Sequence, residues 1–157
     1  MRALPTDRPP EILVSRLSEW LSSSGGVVAV GIDLVDVSGL TNLIESGGQM
    51  FVDDAWTPGE QQQTARDPRR LAGRWAIKEA VMKALRHGLG EVSPLDVQIH
   101  STKSGALELD LVGSAAAIAD SMRVSGWHIS VAYDSAWAIG VAVAVNSART
   151  QRRKRER

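Results

Sequence analysis

Cysteine is absent from this chain of 157 residues. That excludes disulfides and thiolate metal sites, and it makes a cytoplasmic location the default. No apolar run is long enough to span a bilayer. The opening stretch, MRALPTDRPP, lacks a continuous apolar core and carries an acid early, so it does not read as a signal peptide. There is no internal repeat and no sign of a second domain. Net charge is absent too, but only as a sum. The stretch Gln151–Arg157 (QRRKRER) has five basic residues and one acid, +4, which leaves 13 basic and 17 acidic residues, −4, elsewhere. The body of the chain lacks a basic stripe, so nucleic acid is not the expected partner, and the basic stretch reads as a solvated end.

What is present suits one globular domain with a real core: 43% hydrophobic and 23% charged residues. We divide the chain into an N-terminal extension (1–26), a folded domain (27–147) and a basic tail (148–157). In the extension, Glu11–Ser22 has apolar residues at helical spacing and reads as a short amphipathic helix, closed by Ser22–Gly26.

The domain is organised around LAGRWAIKEAVMKALRH, Leu71–His87. Good helix formers fill it. On a helical projection Leu71, Trp75, Met82 and Leu85 share a stripe, Ile77, Val81 and Ala84 cover another side, and Ala72, Ala76 and Ala80 much of the rest. A helix apolar on so many sides is buried. Lys78 nevertheless projects into the apolar stripe, beside Glu79, with Lys83 one turn on. Buried charges need partners, so this helix carries a structural ion pair or lines a site. Glu79 and Lys83 also have the spacing of an ordinary helix-surface pair.

Val27–Val37 (VVAVGIDLVDV) reads as a strand. Asp33 stands on the face it shares with Ala29, Gly31 and Val35. A carboxylate there wants a cation or several donors; capping a loop or pairing with an arginine would also satisfy it. Leu40–Glu45 is expected to form a short helix ended by Gly47-Gly48. Thr57-Pro58-Gly59-Glu60 has the spacing of a capping box, and Asp67-Pro68 separates that helix from the central one. Beyond Gly88-Leu89-Gly90, Leu95–His100 and Ala106–Val112 alternate as a hairpin with one wet face. Ser114–Val124 is expected to be a helix with Ser114 as N-cap. Trp127–Tyr133 and Ala136–Asn146 read as strands about a tight turn, and Gly140 suggests a bulge or close packing. The pattern predicts an α+β fold, a mainly antiparallel sheet packed with a long central helix.

The stretches VGIDLVDV, FVDDAWTPGE and LAGRWAIKEAVMKAL, in that order and spacing, resemble the holo-acyl-carrier-protein synthase type of 4′-phosphopantetheinyl transferase. Weaker likeness continues through SPLDVQIH, LELDLVGSA and WHISVAYDSAWAIGVAVAV, so that it covers roughly residues 27–146. The resemblance implies a Mg²⁺-dependent enzyme that moves the phosphopantetheine arm of coenzyme A onto a serine of an apo acyl or peptidyl carrier protein and releases adenosine 3′,5′-bisphosphate. It implies Asp33 and Glu79 as metal ligands, Glu79 and Lys83 as catalytic residues, and Arg74, Lys78 and Lys83 as contacts of coenzyme A. It further implies a homotrimer with sites between subunits. Mg²⁺ with oxygen ligands and a lysine against phosphate charge agree with the residue types present. Three departures stand out. Gly39 replaces an arginine that the family directs at the acidic carrier helix, Thr102–Ala106 lacks the acid and proline of the family's turn, and Ala132-Tyr133 stands where many members have Ser-His. They motivate the alternative of a catalytically reduced, transferase-fold interaction module.

Overall fold

The computed structural model describes residues 26–134 and 136–146. The amphipathic segment Glu11–Ser22 and the basic tail lie outside the described residues. Val27–Asp36 forms β1, Val37–Ala55 α1, Pro58–Thr64 α2, Pro68–Leu85 α3, Val97–Ser101 β2, Leu107–Leu111 β3, Gly113–Ser121 α4, Gly126–Tyr133 β4 and Trp137–Val145 β5. Among the described residues the five strands pair antiparallel: one sheet has the order β1-β5-β4, and β2-β3 is a separate hairpin. The expected α+β class holds.

Helix α3 lies across β1 and β5, and small residues let it come close. A Cβ added at Gly31 of β1 would meet the Ala80 carbonyl, and one added at Gly140 of β5 would meet the backbone of Ala76. Ala76, Ala80 and Ala84 recur every four residues, which puts them on one face of the helix. The expected close packing at Gly140 is therefore a seam of glycine against alanine. On one side of it Ile77, Val81, Leu85, Val97 and Ile99 form a core with the hairpin and α4; on the other Leu40, Val52, Trp56, Leu71 and Ala138 form a second core under α1.

Local details depart from expectation in three places. Residues 37–55 form one span broken at Gly48 (φ 61°, ψ −155°), so the short helix before the glycine pair and the segment after it join across a kink. The central helix stops at Arg86, in the left-handed region at φ 61°, before the glycines of 88–90. Ser114 is not an N-cap: Val112 holds that position, and the Asp96 carboxylate accepts from Ser114 N (2.8 Å) and Ser114 Oγ (2.6 Å). Asp96 itself lies in a 3₁₀ turn, Pro94–Asp96, ahead of β2. The capping box is present, with Glu60 N donating to Thr57 Oγ1 (3.2 Å) and Thr57 N to Glu60 Oε2 (2.9 Å).

Candidate active site

The glycine–alanine seam sets Asp33 of β1 beside Glu79 and Lys83 of α3. Asp33 pairs across the sheet with Gly140 and is 7% exposed. Lys83 Nζ donates to Asp33 Oδ1 at 2.5 Å. The lysine therefore closes on the strand's carboxylate, and the simple Glu79–Lys83 helix pair is superseded. Glu79 is half-buried. Burial pushes its carboxyl up from the ordinary glutamate range, the Asp33 charge pushes it further, and Lys83 partly offsets both. The Trp75 side chain, one turn before, hydrogen-bonds Glu79. The hydrogen bond to Asp33 raises the Lys83 ammonium against a smaller loss from burial. Two carboxylates from different elements thus face one exposed lysine, leaving excess negative charge among oxygen donors. A hard divalent cation fits that donor set. Among the described residues no third His, Cys, Asp or Glu completes a protein cage, so further ligands would come from water and phosphate oxygens, as Mg²⁺ sites commonly have.

Lys78 is elsewhere. Its ammonium is 0% exposed and donates to Glu60 Oε2 (2.9 Å) and to the carbonyls of Pro94 and Val97 (both 2.7 Å). All three of its donors are used. Burial lowers its pKa and the Glu60 charge raises it in opposition. Glu60 Oε1 in turn accepts from Ile99 N (3.2 Å). The expectation that Lys78 touches coenzyme A is thereby corrected: it joins α2, α3 and the start of the hairpin. Of the two alternatives offered for the central helix, the structural ion pair is present at Lys78.

Arg74 opens on a second feature. A cavity of about 390 Å³ is lined by Arg70, Arg74, Ser101 and Tyr133, among others. Arg74 is 5% exposed; its Nη2 donates to Ser101 Oγ (2.6 Å), while its buried Nε finds no partner. Burial lowers the Arg74 pKa and Glu60 opposes that. Burial raises the Tyr133 phenol, which Arg74, Arg70 and Arg69 pull back; the Arg69 guanidinium sits 5.4 Å over the Tyr133 ring. At 3.6 residues per turn Arg74 and Glu79 fall on different faces of α3, so the structure does not bring Arg74 to the carboxylates of its own chain. Sequence reasoning missed the Glu60 partnership of Lys78, the cavity at Tyr133 and the role of Trp75, which it assigned to the core alone. The Trp75–Glu79 spacing was the available signal.

A three-stranded antiparallel sheet crossed by one buried helix, with an acid on the edge strand and an acid and lysine on the helix, defines a small α+β enzyme scaffold. The 4′-phosphopantetheinyl transferase superfamily pattern matches residues 29–142, and the chain belongs to that family. It is 34% identical over 117 residues to the holo-[acyl-carrier-protein] synthase of a Nitratiruptor species, covering 74% of this chain and 97% of that protein. The Helicobacter pylori holo-[acyl-carrier-protein] synthase, solved in complex with coenzyme A, is similar at 28% identity and TM-score 0.67, covering 73% of this chain and 98% of that one. The Mycobacterium tuberculosis acyl carrier protein synthase is similar at 31% identity and TM-score 0.60, covering 76% and 97%. The chain is thus a 4′-phosphopantetheinyl transferase of the holo-acyl-carrier-protein synthase type.

Proposed function

We propose that this protein transfers the 4′-phosphopantetheine group of coenzyme A to a serine hydroxyl of an apo acyl or peptidyl carrier protein, in a Mg²⁺-dependent reaction that releases adenosine 3′,5′-bisphosphate. The observation that carries this reading is the facing pair Asp33 and Glu79 with Lys83 beside them. Asp33 and Glu79 would hold the metal, and when bound it would supply Lewis-acid chemistry towards the phosphate oxygens. Lys83 offsets charge that builds on the phosphate oxygens as the serine oxygen–phosphorus bond forms and the pyrophosphate bond breaks. The serine proton passes to a water in the site, oriented by the metal or by Glu79.

Arg74, with a buried and unpartnered Nε, suits a phosphate of coenzyme A. Because it opens on another face of α3 from Glu79, a single coenzyme A molecule reaches both only between two copies. The outward face of β1 supports such an assembly: Val30, Ile32 and Leu34 are 55%, 58% and 54% exposed, and Ile139 stands opposite Leu34. We place the sites between subunits of a homotrimer. No helix among the described residues is long and apolar enough to cross a membrane, and the cysteine-free sequence supports work in the cytoplasm.

Intact-mass measurement of an apo carrier protein incubated with this protein, coenzyme A and Mg²⁺ tests the reading. A gain of about 340 Da, lost with a chelator, is expected from metal-assisted transfer of phosphopantetheine. No gain on any of several carriers, together with no calorimetric binding of coenzyme A, would overturn it.

A further inference from the structure

Gly73 stands inside α3, where glycine is disfavoured against alanine. Alanine fills the neighbouring positions 72, 76, 80 and 84. No left-handed backbone accounts for the glycine, since its φ is not positive. The reason lies on β4. A Cβ added at Gly73 would collide with the hydroxyl and two ring carbons of Tyr133. The missing methyl group is a notch in the helix, and the end of the Tyr133 side chain seats in it. The Arg69 guanidinium, one turn earlier on α3, lies over the same ring at 5.4 Å from its centroid, within cation–π range. Tyr133 is thus held between two features of one helix.

The notch is next to Arg74 in the helix, and Tyr133 and Arg74 line the same cavity. The bond from Arg74 Nη2 to Ser101 Oγ (2.6 Å) holds one end of the guanidinium, while the buried Nε has no partner. Arginine has a long side chain with much rotamer freedom, so a bond at its tip does not fix the direction of Nε–H. A second boundary is needed. Ser101 limits the guanidinium from the hairpin, and Tyr133 stands on the side of β4. Of the charges acting on the Tyr133 phenol, that of Arg74 acts most strongly, ahead of Arg70 and Arg69. No aspartate or glutamate lines the cavity, so an anion entering it meets aimed donors without an opposing carboxylate.

We infer that Tyr133 is a positioning residue for the transfer reaction: its ring, seated in the notch at Gly73 and beneath Arg69, is the wall that keeps the Arg74 guanidinium aimed into the cavity. The ring acts through Arg74 and bonds no phosphate itself. The inference rests on the reading in which Arg74 takes a phosphate of coenzyme A. It makes Gly73 and Tyr133 a matched pair, in which a large side chain on the strand requires the smallest one on the helix.

Initial rates of the full chain with coenzyme A varied, at a fixed high concentration of apo carrier protein and Mg²⁺, test it alongside calorimetry of coenzyme A. Tyr133→Ala is expected to raise KM for coenzyme A about tenfold and to weaken its binding to match, with kcat little changed, as for a charge-assisted hydrogen bond that is no longer aimed. Tyr133→Phe keeps the ring and is expected to recover most of that loss. Gly73→Ala expels the ring and should raise KM as Tyr133→Ala does, yet add little to it in the double variant, because one wall is removed only once. Parent-like KM and binding for Tyr133→Ala overturn the inference and leave the transferase reading standing. So does a Tyr133→Phe variant as poor as Tyr133→Ala, which would assign the effect to the hydroxyl, and so do Gly73→Ala and Tyr133→Ala costs that multiply in the double variant. Where Gly73→Ala does not fold, the comparison of alanine with phenylalanine at position 133 decides alone. No transfer and no coenzyme A binding by the parent overturn both the inference and the reading beneath it.

Discussion

At the scale of single residues, Asp33 and Glu79 do what neither could do alone. Glu79 is a perturbed acid, its carboxyl raised by burial and by the Asp33 charge, and that closeness is the basis of the proposed metal site. Glu79→Ala is expected to cut transfer by at least about a hundredfold, more than the loss of an outer-shell partner of a metal ligand, with the fold kept by circular dichroism. Activity within a few-fold of the parent would count against the metal assignment. The raised Glu79 carboxyl also has a consequence for stability. Its folded pKa exceeds its unfolded one, so the folded state prefers the proton, and the metal-free protein loses stability as pH rises from the ordinary glutamate range through the raised value. Glu79→Gln removes that loss, so without metal its melting temperature at neutral pH should match or exceed the parent's. Mg²⁺ should raise the parent's melting temperature and leave the variant's unchanged. Trp75 is half-buried, so Trp75→Ala should cost less than the roughly 3–5 kcal/mol of a fully buried tryptophan. Trp75→Phe should lower transfer while changing the melting temperature little, because the hydrogen bond to Glu79 goes with the indole.

At the scale of elements, much was legible because local signals agreed. The capping box at Thr57, the strand alternation of the hairpin and the alanine-rich central helix each follow from sequence spacing alone. What was not legible depended on contacts between elements. Lys78 reads as a site lysine from its neighbours; only the fold shows Glu60 of α2 and two carbonyls closing on it. Ser114 reads as a cap until Asp96, from a separate turn, takes the role. The pair at Lys78 is testable through stability. Lys78→Met leaves the Glu60 charge buried and should cost about 3–5 kcal/mol in chemical denaturation, and adding Glu60→Gln should recover part of it. Equal stability of the parent and the single variant would contradict the buried pair.

At the scale of the whole molecule, the two halves of the candidate site point away from each other within one chain. The carboxylates gather at edge strand β1, and the arginine cavity opens by β4 and the hairpin. Ile32→Glu on the outward face of β1 should lower the sedimentation coefficient from an oligomer towards a monomer, and transfer should fall with it, while the Arg74 cavity within each chain stays formed. An unchanged sedimentation coefficient would argue against assembly through that face. Oligomer order was beyond the reach of sequence pattern, since an apolar alternation reads the same whether it faces a core or a neighbour.

The seam of Gly31 and Gly140 against Ala76, Ala80 and Ala84 acts as a spacer gauge for the chemistry. The sheet and helix rest backbone to backbone, so the reach from Asp33 to Glu79 and Lys83 has almost no play. A methyl group at Gly31 would act as a shim, lifting α3 from β1 by about the thickness of that group, a move that a close-packed interior cannot absorb elsewhere. The part of this protein most sensitive to a small insertion is thus a contact with no chemistry of its own. Substitution is tolerated less along that line than on the exposed surface of α1, where Leu43 and Met50 stand in solvent.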